Sequence, residues 1–287
     1  MPCPYAGNEF AYDCDMDPLR DRVLSFLRLH NIRLNTDLGQ HFLVDEDVLE
    51  TIVTTADIQP DDHIVEIGPG IGVLTNELVQ RAGKVTAIEL DERFIYLLKN
   101  YIHNMSSNKP INELTVIHAN ALHTPFPSEK FKVVANIPYH ITSPLLRHAY
   151  LESAVHPTTM TLLIQREVAM KICDEEHAGF LTIMVRLFGT PSLICKVPPA
   201  CFVPPPAVDS AVLHIVTHEK PLADPETIEK ILKLLKLAFA GKRKMLRNTL
   251  GQIENGMELL AKCGIDPTRR PETLKVQEWI VLATTTA

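Results

Sequence analysis

The stretch HIVEIGPGIG, residues 63–72, decides the fold class. Its first five residues form a short apolar run that is typical of a buried strand. Three glycines follow at alternate positions, and from Val73 to Ala82 apolar residues recur at helical spacing. A strand, a glycine loop and a helix in succession are typical of α/β proteins that hold a nucleotide against the loop.

Strand and helix patterns alternate on both sides of this stretch. The alternation predicts an α/β fold with a doubly wound, mainly parallel sheet flanked by helices. We predict an acidic leader with a short helix at 1–32, an α/β domain at 33–220 and a small α-helical domain at 221–287. The predicted strands are 63–67, 85–90, 114–118, 131–135, 160–164, 192–197 and 210–216, and the main predicted helices of the α/β domain are 46–56, 73–82, 93–103, 144–151, 166–173 and 180–188.

Composition excludes several classes of protein. The chain has 287 residues, of which 46% are apolar, enough for a sizeable core. No apolar run approaches the roughly 20 residues that a membrane span needs. The acidic first twenty residues do not fit a secretory or transit peptide. Six cysteines without a CxxC pair and twelve histidines without an HExxH pattern predict no metal site. We therefore expect a cytoplasmic protein with no membrane segment and no metal.

The glycine loop and the next strand indicate an adenosine cofactor. Residues 66–72 read ExGxGxG, and the third glycine comes one residue too early for the GxGxxG of nicotinamide enzymes. Glu89, at the end of the following strand, is placed to accept hydrogen bonds from ribose hydroxyls. A glycine turn that serves only strand–helix packing is the alternative for this loop.

The tetrapeptide Asn136-Ile137-Pro138-Tyr139 follows the fourth strand of this domain. An exocyclic adenine amine is a poor nucleophile, and two hydrogen-bond acceptors help it to attack. Asn136 offers a side-chain carbonyl, and the backbone carbonyl of Ile137 or Pro138 offers the second acceptor. Pro138 fixes the backbone and Tyr139 can stack on a purine. No strong base is needed, so we expect His140 to be a neighbour. An ordinary Asn-x-Pro turn is the alternative.

Four stretches together resemble the KsgA family of small-subunit ribosomal RNA dimethyladenosine transferases. They are GQHFL at 39–43, the glycine loop followed by Leu74-Thr75, the Asn136–Tyr139 tetrapeptide, and FVPPPAVDS at 202–210. The resemblance extends from about residue 33 to the C-terminus. It implies a Rossmann-like class I methyltransferase domain with a seven-stranded sheet, a helical RNA-binding domain, and S-adenosyl-L-methionine as cofactor.

The resemblance also implies roles for individual residues. It implies that the target adenine meets Asn136, Ile137, Pro138 and Tyr139, with Phe202 on the opposite face of the base. The product would be two adjacent N6,N6-dimethyladenosines in the 3′-terminal hairpin loop of small-subunit ribosomal RNA, made by a monomer on the assembling small ribosomal subunit. The implied cofactor contacts are Gln40, His41, Leu43, Glu66, Gly68, Gly70, Glu89, Leu90, Asn120, Ala121 and Asn136.

Two site residues depart from the family pattern. The family usually has Asn at the position of His41, which can still donate a hydrogen bond. It usually has an acidic residue at the position of Asn120. Asn120 can accept a hydrogen bond from the adenine amine of the cofactor, but without the assistance of charge. We therefore predict weaker cofactor binding rather than loss of activity.

A basic segment stands out in a chain of net charge −7. Lys242, Arg243, Lys244 and Arg247 follow an apolar helix and resemble the basic segment of the family's C-terminal domain. Clustered cations concentrate positive potential, so we predict an RNA-binding surface here, which the pair Arg269-Arg270 would extend if it shares that face. A solvated helix end without a partner is the alternative.

Three other functions compete with this interpretation. The Asn136–Tyr139 tetrapeptide also suits methylases of large-subunit ribosomal RNA and, more distantly, DNA adenine methylases. A ribosome-assembly or transcription factor that kept the fold without catalysis is a different class, and loss of cofactor binding would be its mark. A nicotinamide oxidoreductase is disfavoured by the glycine spacing. The segment 202–210 and the basic segment favour the small-subunit enzyme.

Overall fold

A computed structural model describes residues 18–32, 39–105, 112–241 and 244–285. These residues form two compact units. The first unit combines the described residues up to Ala169 with Ser192–Thr217, and the second combines Met170–Pro191 with the described residues from His218 onward.

A seven-stranded sheet is the centre of the first unit. Its members are β2 (His63–Ile67), β3 (Lys84–Glu89), β4 (Glu113–His118), β5 (Lys132–Asn136), β6 (Thr159–Gln165), β7 (Gly189–Val197) and β9 (Ser210–Thr217). They pair in the order β4-β3-β2-β5-β6-β9-β7. Neighbours from β4 to β6 are parallel, and β9 runs antiparallel to β6. The predicted mainly parallel sheet is therefore confirmed.

The strand order changes direction between β2 and β5. From β2 the chain proceeds outward to β3 and β4, then returns to place β5 on the other side of β2. In such sheets a crevice opens beyond the carboxyl ends of the strands at this switch point. The Glu66–Gly72 loop follows β2 and the Asn136–Tyr139 tetrapeptide begins at the end of β5, so both border the crevice.

Helices cover the sheet where the apolar periodicity predicts them. The helix α2 begins after Asp45, whose carboxylate accepts the Val48 amide at 2.9 Å and so caps the first turn. The helix predicted at 144–151 begins at Thr142 and continues as a π-helical turn over His148–Glu152. The helices of the first unit are α1 (Pro18–Leu29), α2 (Glu46–Ala56), α3 (Val73–Arg81), α4 (Glu92–Met105) and α5 (Thr142–Arg147), while α6 (Arg166–Cys173) crosses into the second unit.

A second, two-stranded sheet joins two motifs that are distant in sequence. The strands β1 (Phe42–Leu43) and β8 (Phe202–Val203) pair antiparallel, with Leu43 opposite Phe202. Our sequence analysis did not predict either strand, because two residues carry no periodicity. The pairing places the GQHFL motif beside the FVPPPAVDS motif.

The second unit is helical apart from the first residues of β7 within the part of the chain that is described. It contains α7 (Phe180–Phe188), α8 (Pro225–Phe239), α9 (Gly256–Lys262) and α10 (Val276–Thr284). The sequence analysis placed 170–191 in the α/β domain, whereas the structure places them here. The reason is α7, whose apolar side chains are buried and which packs against α8 and α10.

Two kinds of feature are absent from the described residues. No described helix is both long and apolar enough to cross a bilayer. No three His, Cys, Asp or Glu side chains among the described residues come together as a group that would hold a metal ion.

Candidate active site

A cavity of about 540 Å³ opens in the first unit at the carboxyl ends of β2, β3 and β5. It lies at the switch point of the sheet, where the topology predicts a ligand. All eleven residues that the sequence analysis assigned to the cofactor line this cavity. Tertiary structure thus brings together side chains that span residues 40–136.

The glycine loop supplies one wall of the cavity. Gly68, Gly70 and Gly72 have φ values of 66°, 57° and 99°, in the left-handed region that side chains disfavour. A side chain at Gly70 would overlap the ring of Phe42. The loop can therefore turn tightly at the end of β2 and lie against the GQHFL motif only with glycine at these positions.

Glu89 is buried at the end of β3 and is held by backbone amides on both sides. Its Oε2 accepts the Gly70 amide at 3.0 Å and its Oε1 accepts the Asp91 amide at 2.8 Å. Burial raises the pKa of Glu89, while these backbone donors oppose the rise. The carboxylate is fixed between the glycine loop and the loop after β3, beside the cavity.

Glu66, one strand away, is buried without comparable support. It is 2% exposed, and its Oε2 has no hydrogen-bond partner. Burial raises the pKa of Glu66 to about 8; a hydrogen bond from the Thr75 hydroxyl opposes the rise, and the neighbouring Glu89 carboxylate adds to it. An unpartnered carboxylate oxygen in a cavity wall suits a cationic ligand, because a positive charge favours the ionised form.

Asn120 and its neighbours form the far end of the cavity. The Asn120 Oδ1 accepts the Leu122 amide at 3.0 Å, so the loop after β4 fixes the orientation of this side chain. Leu90 lines the same cavity and is 64% exposed, an unusual position for an apolar side chain. Ala121 is buried beside them.

Asn136 is oriented by the GQHFL motif. Its Nδ2 donates to the His41 backbone carbonyl at 3.1 Å. Because the nitrogen is committed to that contact, the side-chain oxygen is what Asn136 offers to an incoming amine. Gly39 allows the two segments to approach, since a Cβ on Gly39 would lie 3.0 Å from Cβ of Pro138.

Tyr139 follows Pro138, and a hydrogen bond of its hydroxyl group holds the side chain in place. The phenol hydrogen-bonds to the Ser210 hydroxyl on β9. Burial raises the pKa of Tyr139, and the Ser210 contact opposes the rise. The ring lies nearly parallel to that of His41, at an angle of 17° with centroids 6.3 Å apart. Tyr139 lies outside the cavity lining, whereas His41 is part of it.

Phe202 is buried at the start of the FVPPPAVDS motif, and its contact with the target base stays a prediction. It is 1% exposed and belongs to the apolar core, and it does not line the cavity. The cause is the pairing of β8 with β1, which turns the Phe202 side chain inward opposite Leu43. The side chain of Ile137 is also buried, so only its backbone can take part in binding.

The basic segment is described only in part. Lys242 and Arg243 lie outside the described residues, while Lys244 and Arg247 are exposed in the second unit. The Leu246 amide donates to the Arg269 carbonyl, and the Arg247 amide to Pro267, so these two segments are adjacent. The Arg269 guanidinium is already paired with Glu278.

Several cavity residues escaped the sequence analysis. Asp91 lines the cavity and accepts a hydrogen bond from Gln40 Nε2 at 3.0 Å, which ties the GQHFL motif to the loop after β3. Phe42 packs edge-on against Phe94 with centroids 5.6 Å apart. Asp91 stands two residues after Glu89, and that proximity was the only sequence signal for it.

Comparisons with known proteins identify the family. A family model described as ribosomal RNA adenine dimethylase matches residues 31–287. The chain belongs to this family. It is an enzyme that methylates ribosomal RNA adenine, and its cofactor is S-adenosyl-L-methionine.

Individual relatives agree with the family. Ribosomal RNA small subunit methyltransferase A from Dehalococcoides mccartyi is 38% identical over 265 residues, which cover 88% of each chain. The protein of that name from Alkaliphilus metalliredigens is 36% identical over 91% of this chain and 94% of its own.

Two solved structures are similar over most of the chain. A dimethyladenosine transferase from Plasmodium falciparum superposes with a TM-score of 0.73 at 27% identity, covering 84% of this chain and 96% of that one. The 23S rRNA methyltransferase ErmE superposes with a TM-score of 0.68 at 29% identity, covering 84% and 98%. Both confirm the Rossmann-like methyltransferase fold.

Proposed function

We propose that this dimethylase transfers methyl groups to N6 of two adjacent adenosines in the 3′-terminal hairpin loop of small-subunit ribosomal RNA, on the assembling subunit. The proposed chemistry rests on the orientation of the Asn136 side chain. Its Nδ2 donates to the His41 backbone carbonyl, and this leaves its Oδ1 available to an amine. The names of the relatives from Dehalococcoides and Alkaliphilus support the choice of subunit. A cytoplasmic monomer is part of the same proposal.

The cavity residues suit the parts of S-adenosyl-L-methionine. Glu66 lines the cavity with one unpartnered oxygen, and this carboxylate would attract the cationic methionine end of the cofactor. Glu89 would hold the ribose hydroxyls, and its two backbone donors keep it in place. Leu90 and Ala121 would pack on the adenine, whose amine would meet Asn120.

When bound, the cofactor supplies an electrophilic methyl group on sulfur. Asn136 Oδ1 accepts one hydrogen of the target amine, which draws the nitrogen lone pair out of the ring. We assign the second acceptor to the Ile137 carbonyl, because the Pro138 carbonyl already accepts the Ile141 amide at 3.1 Å. Tyr139 stacks on the base and aligns it with the methyl group. The methylated amine then loses its proton to solvent.

A loop target suits this site because the base must leave its stack to reach Asn136. The second unit would hold the RNA backbone. Lys244 and Arg247 are exposed there, and we propose that with Lys242 and Arg243 they contact phosphates.

Methyl transfer from labelled S-adenosyl-L-methionine to undermethylated small subunits tests the function. We expect label in N6,N6-dimethyladenosine of the 3′ hairpin. Asn136→Ala should lower the rate about 10²- to 10³-fold, the usual loss for one preorganised polar contact. His140→Ala is the matched control, because His140 lines the cavity beside Tyr139 but is exposed and has no assigned role.

Other outcomes identify the competing functions. Label that enters only large-subunit RNA would favour an enzyme like ErmE. If no label is transferred and calorimetry detects no cofactor binding, the result would favour the non-catalytic assembly factor. Equal rates for wild type and Asn136→Ala would refute the chemical role of Asn136.

A further inference from the structure

We propose that Gln165 is a substrate-positioning residue, whose side-chain amide donates a hydrogen bond to a ring nitrogen of the target adenine. The inference rests on the proposed function and deepens it, because it adds a residue to the base site of Asn136 and Tyr139. Gln165 is the last residue of β6, the strand that pairs with β5 in the sheet. The sequence analysis assigned no residue of β6 to the base.

The register of the sheet places Gln165 on the same face as Asn136. In the parallel pair of β5 and β6, Asn136 is the partner of Leu163. Partner residues of neighbouring strands point to one face, and so does every second residue along a strand, so Gln165 shares this face with Leu163. Two residues along β6 and one strand spacing separate the Cα atoms of Gln165 and Asn136 by about 8 Å. The two side chains can therefore converge on neighbouring atoms of one base.

The hydroxyl group of Tyr139 lies at the same end of β6. Ser210 on β9 is the antiparallel partner of Gln165. The Cβ atoms of such a pair are about 5 Å apart and stand on one face of the sheet. The Tyr139 hydroxyl hydrogen-bonds to the Ser210 hydroxyl. An adenine that stacks on Tyr139 therefore has the Gln165 side chain at its edge.

Gln165 has an amide that the protein does not use. Among the residues that the structure describes, none forms a hydrogen bond with its side chain, which is half-buried. The amides of Gln40 and Gln80, in contrast, donate to Asp91 and to the Asn76 carbonyl. Polar groups withdrawn from solvent are normally hydrogen-bonded, so a half-buried amide at the edge of the base site suits a partner that the substrate supplies.

The chemistry of adenine defines this partner. Asn136 and the Ile137 carbonyl accept the two hydrogens of the amine, as proposed above. The ring nitrogens N1 and N7 flank the amine and are both acceptors. Gln165 Nε2 supplies the donor that Asn136 and Ile137 lack, because they present only oxygen to the base. This contact stops the base from turning on the face of Tyr139 and keeps N6 in line with the methyl group.

Deaza analogues of adenosine test the contact, because each replaces one ring nitrogen by carbon and removes one acceptor. The probes are RNA hairpins whose target adenosines are natural, 1-deazaadenosine or 7-deazaadenosine. The proteins are wild type, Gln165→Ala and Gln165→Glu, which keeps the size of the side chain but cannot donate when ionised. Gln80→Ala is the matched control, an exposed glutamine of α3.

We expect Gln165→Ala and Gln165→Glu to lower kcat/KM for the natural hairpin about tenfold, the usual effect of one hydrogen bond, while Gln80→Ala matches wild type. One of the two analogues should cost wild type a similar factor, and that analogue identifies the nitrogen as N1 or N7. The same analogue should cost Gln165→Ala less than about twofold, because the contact is already lost. The Kd for S-adenosyl-L-methionine should stay the same in every variant.

Three results would overturn the proposal. Gln165→Ala could match wild type on the natural hairpin, which would make its amide irrelevant to the base. Neither analogue could affect wild type, so that no ring nitrogen is bound. The effective analogue could cost Gln165→Ala as much as wild type, so that another residue binds that nitrogen and Gln165 is merely structural.

The proposed function can fail separately from this contact. If wild type labels large-subunit RNA instead, the choice of subunit is wrong, and the analogues are placed in the hairpin that carries the label. The comparison of Gln165→Ala with wild type then tests the contact on that RNA. Transfer to no ribosomal RNA would overturn both proposals.

Discussion

The strands β2 and β3 each place a buried glutamate at the cavity, and the fold treats the two carboxylates differently. Glu89 receives two backbone amides, from Gly70 and Asp91. Glu66 keeps one oxygen with no partner although it is 2% exposed. Glu89 is thus supported by the protein itself, whereas Glu66 carries an electrostatic cost that a cationic ligand would relieve. Because folding has already removed the Glu66 carboxylate from water, a cationic ligand that pairs with it relieves this cost and favours the ionised form.

The largest effect expected from this contrast is on stability. In the folded, unliganded protein the Glu66 pKa is about 8, against 4.5 for the exposed group, so the folded state keeps a proton that the unfolded chain loses. The free energy of unfolding therefore falls as pH rises from 4.5 to about 8. Glu66→Gln cannot titrate, and at pH 7 it should be more stable than wild type by about 3 kcal/mol, from about 1.4 kcal/mol per pH unit.

Urea unfolding of the wild type and of Glu66→Gln at pH 5 and pH 7 checks the predicted sign of the stability difference. The stability difference should be small at pH 5 and grow with pH, while Glu66→Gln binds S-adenosyl-L-methionine more weakly. A difference that does not depend on pH would show that Glu66 is not protonated in the unliganded protein.

Glu89→Gln should stabilise the protein less than Glu66→Gln does. Burial also raises the pKa of Glu89, so glutamine removes a buried charge here too, but it presents one donor where Glu89 accepts from two backbone amides, and the amide left without a partner costs about 1–3 kcal/mol. The Kd for the cofactor should rise about 10- to 100-fold, because hydrogen bonds to a charged acceptor are lost. Glu92→Gln is the matched control, an exposed glutamate of the same cavity. If Glu89→Gln stabilised the protein as much as Glu66→Gln does, the two backbone hydrogen bonds at Glu89 would contribute nothing to stability.

The smallest effect is expected at Asn120, where the cavity lacks a charge that the family usually has. Asn120→Asp keeps the acceptor for the Leu122 amide and adds charge assistance. We expect about fivefold tighter binding of S-adenosyl-L-methionine, by calorimetry, with kcat unchanged. An unchanged Kd would mean that the uncharged Asn120 already satisfies the cofactor, contrary to the weaker binding predicted from sequence.

Local patterns were sufficient to predict much of the site. The run from His63 to Gly72 contains a strand, a turn and a helix start within ten residues, so its conformation follows from its own sequence. Glu89 and Asn136 end strands, and the carboxyl ends of parallel strands meet at one edge. Part of the cavity lining could therefore be inferred without coordinates.

Contacts between distant segments could not be predicted in this way. The role of Phe202 is implied by the family resemblance alone and stays a prediction, while its pairing opposite Leu43 with a buried side chain could not be read from the sequence. The segment 170–191 was assigned by sequence order, but its apolar helix packs with the C-terminal helices. No local pattern distinguishes a buried phenylalanine from one that contacts a base.

The sequence by itself determined the fold class and the family, and through the family resemblance it indicated eleven of the residues that line the cavity. Only the tertiary structure decided how those residues are solvated and oriented. The unpartnered oxygen of Glu66, the two amides on Glu89 and the parallel rings of His41 and Tyr139 all depend on loops that meet across the sheet. Hydrogen bonds and ring contacts act over a few ångströms in space, and distance along the chain does not encode them.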